Sequence, residues 1–178
     1  RWSLKGSWYR GQVQGDDNSG ALYNNRGLNF VSTINDISVV AEFHFWEYFT
    51  GSKRNFFTPF IFAGFGFFTF NPKSQDGVAL HPLGTEGQNE GFEGRSPYNK
   101  WGVSIPFGFG FKWSVSERVG IGVEWGMRKT FSDYVDDIST TYYLVGEDIN
   151  PAIDAQYYSD PSMNHQPGMQ RGDDQNFD

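Results

Sequence analysis

Two groups of residues in this chain have the types and spacing to do chemistry. Asp133, Asp136 and Asp137 stand close together in a segment, residues 132–178, that carries ten acidic residues against one base, Arg171. Hard cations such as Ca²⁺ take several carboxylate and carbonyl oxygens, so these three are the candidate metal ligands. They lack EF-hand spacing, and the plainer reading is a solvated acidic loop. The second group is Lys112, Glu124 and Arg128, which fall on one face of two adjacent strand-like segments, with Glu42 on the matching face of another. Charges enclosed where water is scarce must be paired. They either line an ion path or plug a narrow interior as structural pairs, and the filling of small barrels by side chains favours the plug.

Other chemistry is poorly served. His44 shares a face with Glu42, whereas His81 and His165 fall between elements, and no Ser or Asp stands at a spacing that forms a dyad with any of them. The chain is therefore expected not to be an enzyme. The run LGTEGQ, residues 83–88, has two glycines but no following Lys-Ser/Thr and no helix, so it reads as a turn that packs a loop rather than a phosphate cradle.

The elements that must position these residues are strands. From Trp101 to Trp113 every odd residue is large and apolar (Trp, Val, Ile, Phe, Phe, Phe, Trp), while the even ones are small or polar. Twelve steps of about 3.3 Å, tilted by about 40°, cross about 30 Å, the apolar thickness of a membrane barrel. Trp101 and Trp113 fall where an aromatic girdle would sit. The pattern repeats over 119–131, with Val119, Ile121, Val123, Trp125 and Met127 on one face and Glu124 and Arg128 on the other. Further strands are expected over 2–13, 28–47 and 57–70. The second changes apolar phase near Asn35-Asp36, which predicts a bulge. The third is apolar on both faces, and Gly64 and Gly66 point its even side toward a crowded interior.

Composition agrees. Aromatics make up 19% of the chain, Gly numbers 22 and Cys is absent, which favours strands and rules out disulfides and cysteine metal sites. The formal charge of −7, with no cluster of bases, argues against a nucleic-acid partner. No apolar run reaches the 18 residues or so of a membrane helix. Connections alternate between short (48–56, 115–118) and long (14–27, 71–100, 132–178), as in outer-membrane barrels whose short turns are periplasmic. By that rule Arg1 starts at the periplasmic end and Asp178 lies outside. Five strands are an odd number, so the chain is expected to be part of a longer protein with eight.

Several stretches go beyond generic barrel patterning. PFIFAGFGFFTFNPKS (59–74), LHPLGTEGQ (80–88), IPFGFG (105–110) and VEWGMRKTFSDYVDDIST (123–140), with SDPS (159–162) and RGDDQNFD (171–178), resemble the PorG-type family of Bacteroidetes outer-membrane barrels. LGTEGQ and TFSDYVDD are the most specific parts. The resemblance implies an eight-stranded barrel with about two strands before Arg1 and a closing strand after the last long loop. It also implies association with the type IX secretion machinery, where PorG binds the periplasmic PorK–PorN ring.

The expectation is thus an all-β, antiparallel transmembrane β-barrel domain spanning 1–178, in the bacterial outer membrane. It is expected to contact lipid, lipopolysaccharide and PorK/PorN-like partners, and to need no cofactor unless Ca²⁺ binds the Asp133 cluster. Its task would be a scaffold or anchor in type IX secretion. The alternatives are a stand-alone small barrel, either a narrow pore or a surface-binding protein working through loops 71–100 and 132–178, and a soluble β-sandwich.

Overall fold

The structure, a computed structural model, describes residues 1–16, 27–138 and 154–159. Five strands, β1 (Trp2–Asp16), β2 (Asn29–His44), β3 (Phe57–Lys73), β4 (Trp101–Ser114) and β5 (Gly120–Thr130), form one antiparallel sheet in sequence order. The only α-helix among the described residues is the short α1 (Asp154–Ser159). No described helix is long and apolar enough to cross a membrane, which says nothing about crossing by strands. The chain is all-β.

The described chain divides into two compact units. The first comprises Arg1–Arg10, Asn35–Thr69 and Trp101–Phe131; the second comprises Gly11–Ile34, Phe70–Lys100 and Ser132–Asp178. The first contains a length of every strand. There Lys5 on β1 bonds Glu124 on β5, and Arg128 on β5 bonds Asp36 on β2 at 2.8 Å. A flat sheet would hold β1 and β5 about 19 Å apart. The sheet of this unit is therefore curled into part of a β-barrel, with these charges on its concave side.

Cross-strand pairing explains the curl. In the β3–β4 register Phe60 faces Gly110, Phe62 faces Gly108 and Phe68 faces Gly102. Each ring lies where a Cβ on the facing glycine would be, within 2.6–2.8 Å. The concave face thus fits large rings only because its neighbours have none. Gly64 is tighter still: a Cβ there would meet the Val39 carbonyl oxygen at 2.1 Å and Val40 Cα at 2.6 Å. Even positions of β3 are the inward ones, as Gly64 and Gly66 indicated.

The two faces are the reverse of those of a soluble protein. Ser38, Glu42, Thr58 and Ser104 are all at most 2% exposed, whereas Leu4 and Phe65 are each 79% exposed. The odd residues of β4 from Trp101 to Trp113 all lie on the exposed face, as do Ile121, Val123, Trp125 and Met127 of β5. A sandwich packs two separate sheets face to face, whereas the five strands here form one curled sheet, as in a partial β-barrel.

Several strand limits differ from those expected. β1 and β3 continue to Asp16 and Lys73, through polar residues that carry no apolar alternation but still pair their backbones. β2 ends at His44 rather than 47, because the Trp46 amide turns to the Thr58 hydroxyl at 3.2 Å. The bulge near Asn35-Asp36 is also corrected. Ser32, Asp36, Ser38, Val40 and Glu42 are all buried and all even, so inward parity never changes along β2. The apolar phase shifts because the surroundings change, not the backbone.

The glycine contacts give a test. Gly64→Ala should destabilise the fold by about 2 kcal/mol or more, since backbone must move to admit the Cβ. Gly6→Ala, with open space around its Cβ position, should be neutral or slightly stabilising. Urea midpoints of the refolded variants in detergent micelles measure both.

Candidate functional site

The concave face of the first unit holds the charge cluster that the strands were expected to carry. Glu42, 3% exposed, is its centre. Its Oε2 accepts from Lys112 Nζ on β4, from Ser3 Oγ on β1 at 2.9 Å, and lies 3.2 Å from His44 Nε2. Lys5 Nζ stands 3.7 Å from its other oxygen and also bonds Glu124. Toward the other end of the unit, Arg128 bonds Asp36 at 2.8 Å and Ser38 at 3.3 Å, with its guanidinium 5.1 Å from the Tyr9 ring. Between the Lys5–Glu124 and Arg128–Asp36 pairs lies a cavity of about 230 Å³, also lined by Ser7, Tyr9 and Phe62.

Glu42, Lys112, Glu124 and Arg128 thus share one face, but not as one pair set. Glu124 and Arg128, two inward positions apart on β5, bond across the curl to Lys5 and Asp36 rather than to each other. Sequence reasoning missed Lys5, Ser3 and Asp36. In β1, Ser3 and Lys5 alternate with Trp2 and Leu4, and that parity is the signal by which they can be found. Among the described inward residues of this unit's strands, three bases (Lys5, Lys112, Arg128) match three acids (Asp36, Glu42, Glu124). The described charges of this face are thus balanced and mutually bonded.

Catalysis finds no relay here. Ser3, Glu42 and Lys112 all approach the same nitrogen of His44, Nε2, at 3.2–3.3 Å. A Ser–His–acid relay needs the acid on one ring nitrogen and the nucleophile on the other.

In the second unit, Asp137 departs from the expected metal ligation. It is fully buried, sits at φ 73°, and accepts from Thr85 Oγ1 at 2.6 Å and from the Tyr98 hydroxyl. One hydroxyl donor thus sits on each of its carboxylate oxygens. Asp136 instead accepts from the Ile138 amide at 3.3 Å, and Asp133 is exposed. Among the described residues no three His, Asp or Glu side chains converge to hold a metal. The remaining acids of 139–153 and 160–178, His165, and the RGDDQNFD run lie outside the described residues.

Asp137 organises LGTEGQ. Thr85 and Glu86 are almost completely buried, and Arg95 donates to the Glu86 carbonyl at 3.0 Å with its guanidinium 3.7 Å from the Glu86 carboxylate. Tyr98 stacks on Tyr134 at 4.5 Å, and its carbonyl meets His81 Nε2 at 2.8 Å. His81 is thus half-buried and bonded, not a surface loop residue. Burial pushes the Asp137 carboxyl up to about 6, against the pull of the Thr85 and Tyr98 hydroxyls; burial and then Asp137 push the Tyr98 hydroxyl up.

Trp101 and Trp113 end β4 on the exposed face, Trp101 stacked on Phe67 at 5.6 Å and Trp113 opposite Phe57 in register. Near the Trp113 end, Trp2, Phe43 and Phe45 form a run of ring contacts at 4.9 and 5.4 Å, and Trp46 meets Phe57 at 5.5 Å.

These features define a class: a partial antiparallel β-barrel with an exposed apolar face and a concave face of paired charges. A family model described as Domain of unknown function (DUF6089) matches residues 1–143, and the chain belongs to that family. No curated protein and no solved structure matches it.

Two outcomes are expected. Glu42→Gln leaves Lys112 and Lys5 facing a neutral amide and should cost about 3 kcal/mol, while Glu42→Gln with Lys112→Met should cost less than the two single changes summed; urea unfolding in micelles measures both. Asp137 binds its proton more tightly folded than unfolded, so its contribution is complete below pH about 4 and is lost as pH rises through about 6. Hydrogen-exchange protection of the Thr85–Gln88 amides, corrected for intrinsic rate, should fall by about 3 kcal/mol across that window. Asp137→Asn should flatten the dependence.

Proposed function

We propose that the protein is a non-enzymatic outer-membrane β-barrel that serves as a scaffold or anchor in a type IX secretion complex. The observation that carries the membrane part is the inverted sheet: exposed apolar residues along every strand, over buried serines, a threonine and paired charges. In water such a surface would aggregate; in lipid it is the lower-energy arrangement. Trp101 and Trp113 would lie at the two interfaces of the bilayer. β5 is exposed on both faces along its whole length, and a bilayer tolerates no open sheet edge. Closure by strands beyond these five, to eight in all, answers that requirement.

The scaffold reading is supported by Phe60, Phe62 and three ion pairs on the concave face, which suit a plug better than a conduit. The secretion role rests on the PorG-like blocks, LGTEGQ and TFSDYVDD above all. Its partners would be lipid and lipopolysaccharide around the barrel and PorK/PorN-like ring proteins on the periplasmic side.

A second reading, a stand-alone surface-binding barrel, is favoured by one observation. The loop at 80–98 and the segment at 132–138 are knitted together through Thr85, Tyr98 and Asp137 into an ordered framework that could present a binding surface.

Crosslinking in native membranes followed by purification should recover ring components of the secretion machinery; recovery of none assigns the second reading instead. In planar bilayers the purified protein should give no discrete conductance steps.

A further inference from the structure

The two short connections of the first unit are built as one surface. The Gly51 amide donates to Ser114 Oγ at 2.8 Å, and that hydroxyl donates to the Ser116 carbonyl at 3.1 Å, so one side chain joins turn 45–56 to turn 115–119. Gly51, at φ 87°, lies so close to Glu117 that a Cβ would meet its carbonyl oxygen at 2.9 Å. Tyr48 closes the same seam against Gly120. The Phe49 amide bonds the Asn55 carbonyl at 3.0 Å and fixes the turn's own shape. The platform is therefore held in one conformation by backbone contacts.

What it exposes is unusual for a solvated turn. Trp46, Phe49 and Phe56 are 54%, 62% and 43% exposed, continuing the ring contacts at that end of the sheet. Lys53, Arg54 and Arg118 are exposed beside them and form no ion pair among the described residues. Glu47 and Glu117 leave the platform with a small net positive charge, in a chain whose formal charge is −7. Aromatic rings with unpaired bases at the rim of an apolar wall match the glycerol and phosphate layers of a bilayer. An anionic surface meets attraction here, where the rest of the chain repels it.

We propose that this two-turn platform binds the phosphate groups of anionic phospholipids in the leaflet that faces the short turns, Lys53, Arg54 and Arg118 supplying the charge and Trp46, Phe49 and Phe56 entering the interface. The inference rests on the membrane reading above. It makes the short turns a lipid-bound end, which holds the barrel at a set depth.

The test refolds the full-length protein, the proposed closing strands included, into vesicles of phosphatidylcholine alone or mixed with phosphatidylglycerol, and follows urea unfolding. A basic residue at an anionic surface favours the bound state by about five-fold. The folded-to-unfolded ratio should rise by at least that factor with phosphatidylglycerol at about 0.1 M salt, and the gain should vanish near 1 M as screening shortens. The triple variant Lys53→Gln, Arg54→Gln, Arg118→Gln should insert normally into phosphatidylcholine and show no gain. Equal stability of the unaltered chain in both vesicles, or an undiminished gain in the triple variant, overturns the assignment. Protection by polyglutamate in micelles without any lipid effect also overturns it and gives the surface to an acidic protein. Failure to insert into either vesicle refutes the membrane reading itself.

Discussion

A carboxylate with almost no exposure must be compensated where it stands, and Glu42 sets that requirement for the first unit. Its partners come from three strands: Ser3 and Lys5 from β1, His44 from β2 itself, Lys112 from β4. Lys5 can serve both Glu42 and Glu124 only if β1 and β5 face each other, so the ion network and the curl of the sheet imply one another. The tightness of that curl depends on Phe60 and Phe62 lying over Gly110 and Gly108. A side chain larger than hydrogen at those glycines would push the strands apart and separate the charges. Packing and electrostatics here are a single design.

Balance within that network bears on function. Among the described residues of the concave face, each base is bonded to an acid. The single shared nitrogen of His44 leaves no acid–base relay. The exposed apolar wall is then the feature that asks for a partner, and under the proposed membrane reading that partner is lipid. The proposed scaffold role draws on paired interior charges and on short turns braced against each other.

Much of this was legible in the residues. The odd-even code of Trp101–Trp113 marked β4 and its two faces to within one residue, because one face is uniformly large and apolar and the other small or polar. Gly64 and Gly66 identified the inward side of β3 although both faces are apolar, since only glycine tolerates such close backbone approach. Other features were hidden for stateable reasons. The apolar residues of β2 change parity near Asn35 while the backbone does not, so hydrophobicity reported a change of environment as a bulge. The pairing of Lys5 with Glu124 spans 119 positions in the chain and depends on curvature, which alternation does not encode. Asp137 resembled a metal ligand by its acidic neighbours, but the hydroxyls that hold it, Thr85 and Tyr98, come from a distant loop.

The central claim is that the exposed apolar face of the sheet, odd-numbered on β4, meets lipid and the opposite face does not. Nitroxide labels placed singly along residues 101–113 of the protein in vesicles test it directly, through their accessibility to dissolved oxygen and to a water-soluble nickel complex. Oxygen accessibility is expected to peak at every odd position and fall at every even one between Trp101 and Trp113, with nickel accessibility low throughout the odd set. Odd positions open to nickel, or no alternation between the two sets, would contradict it.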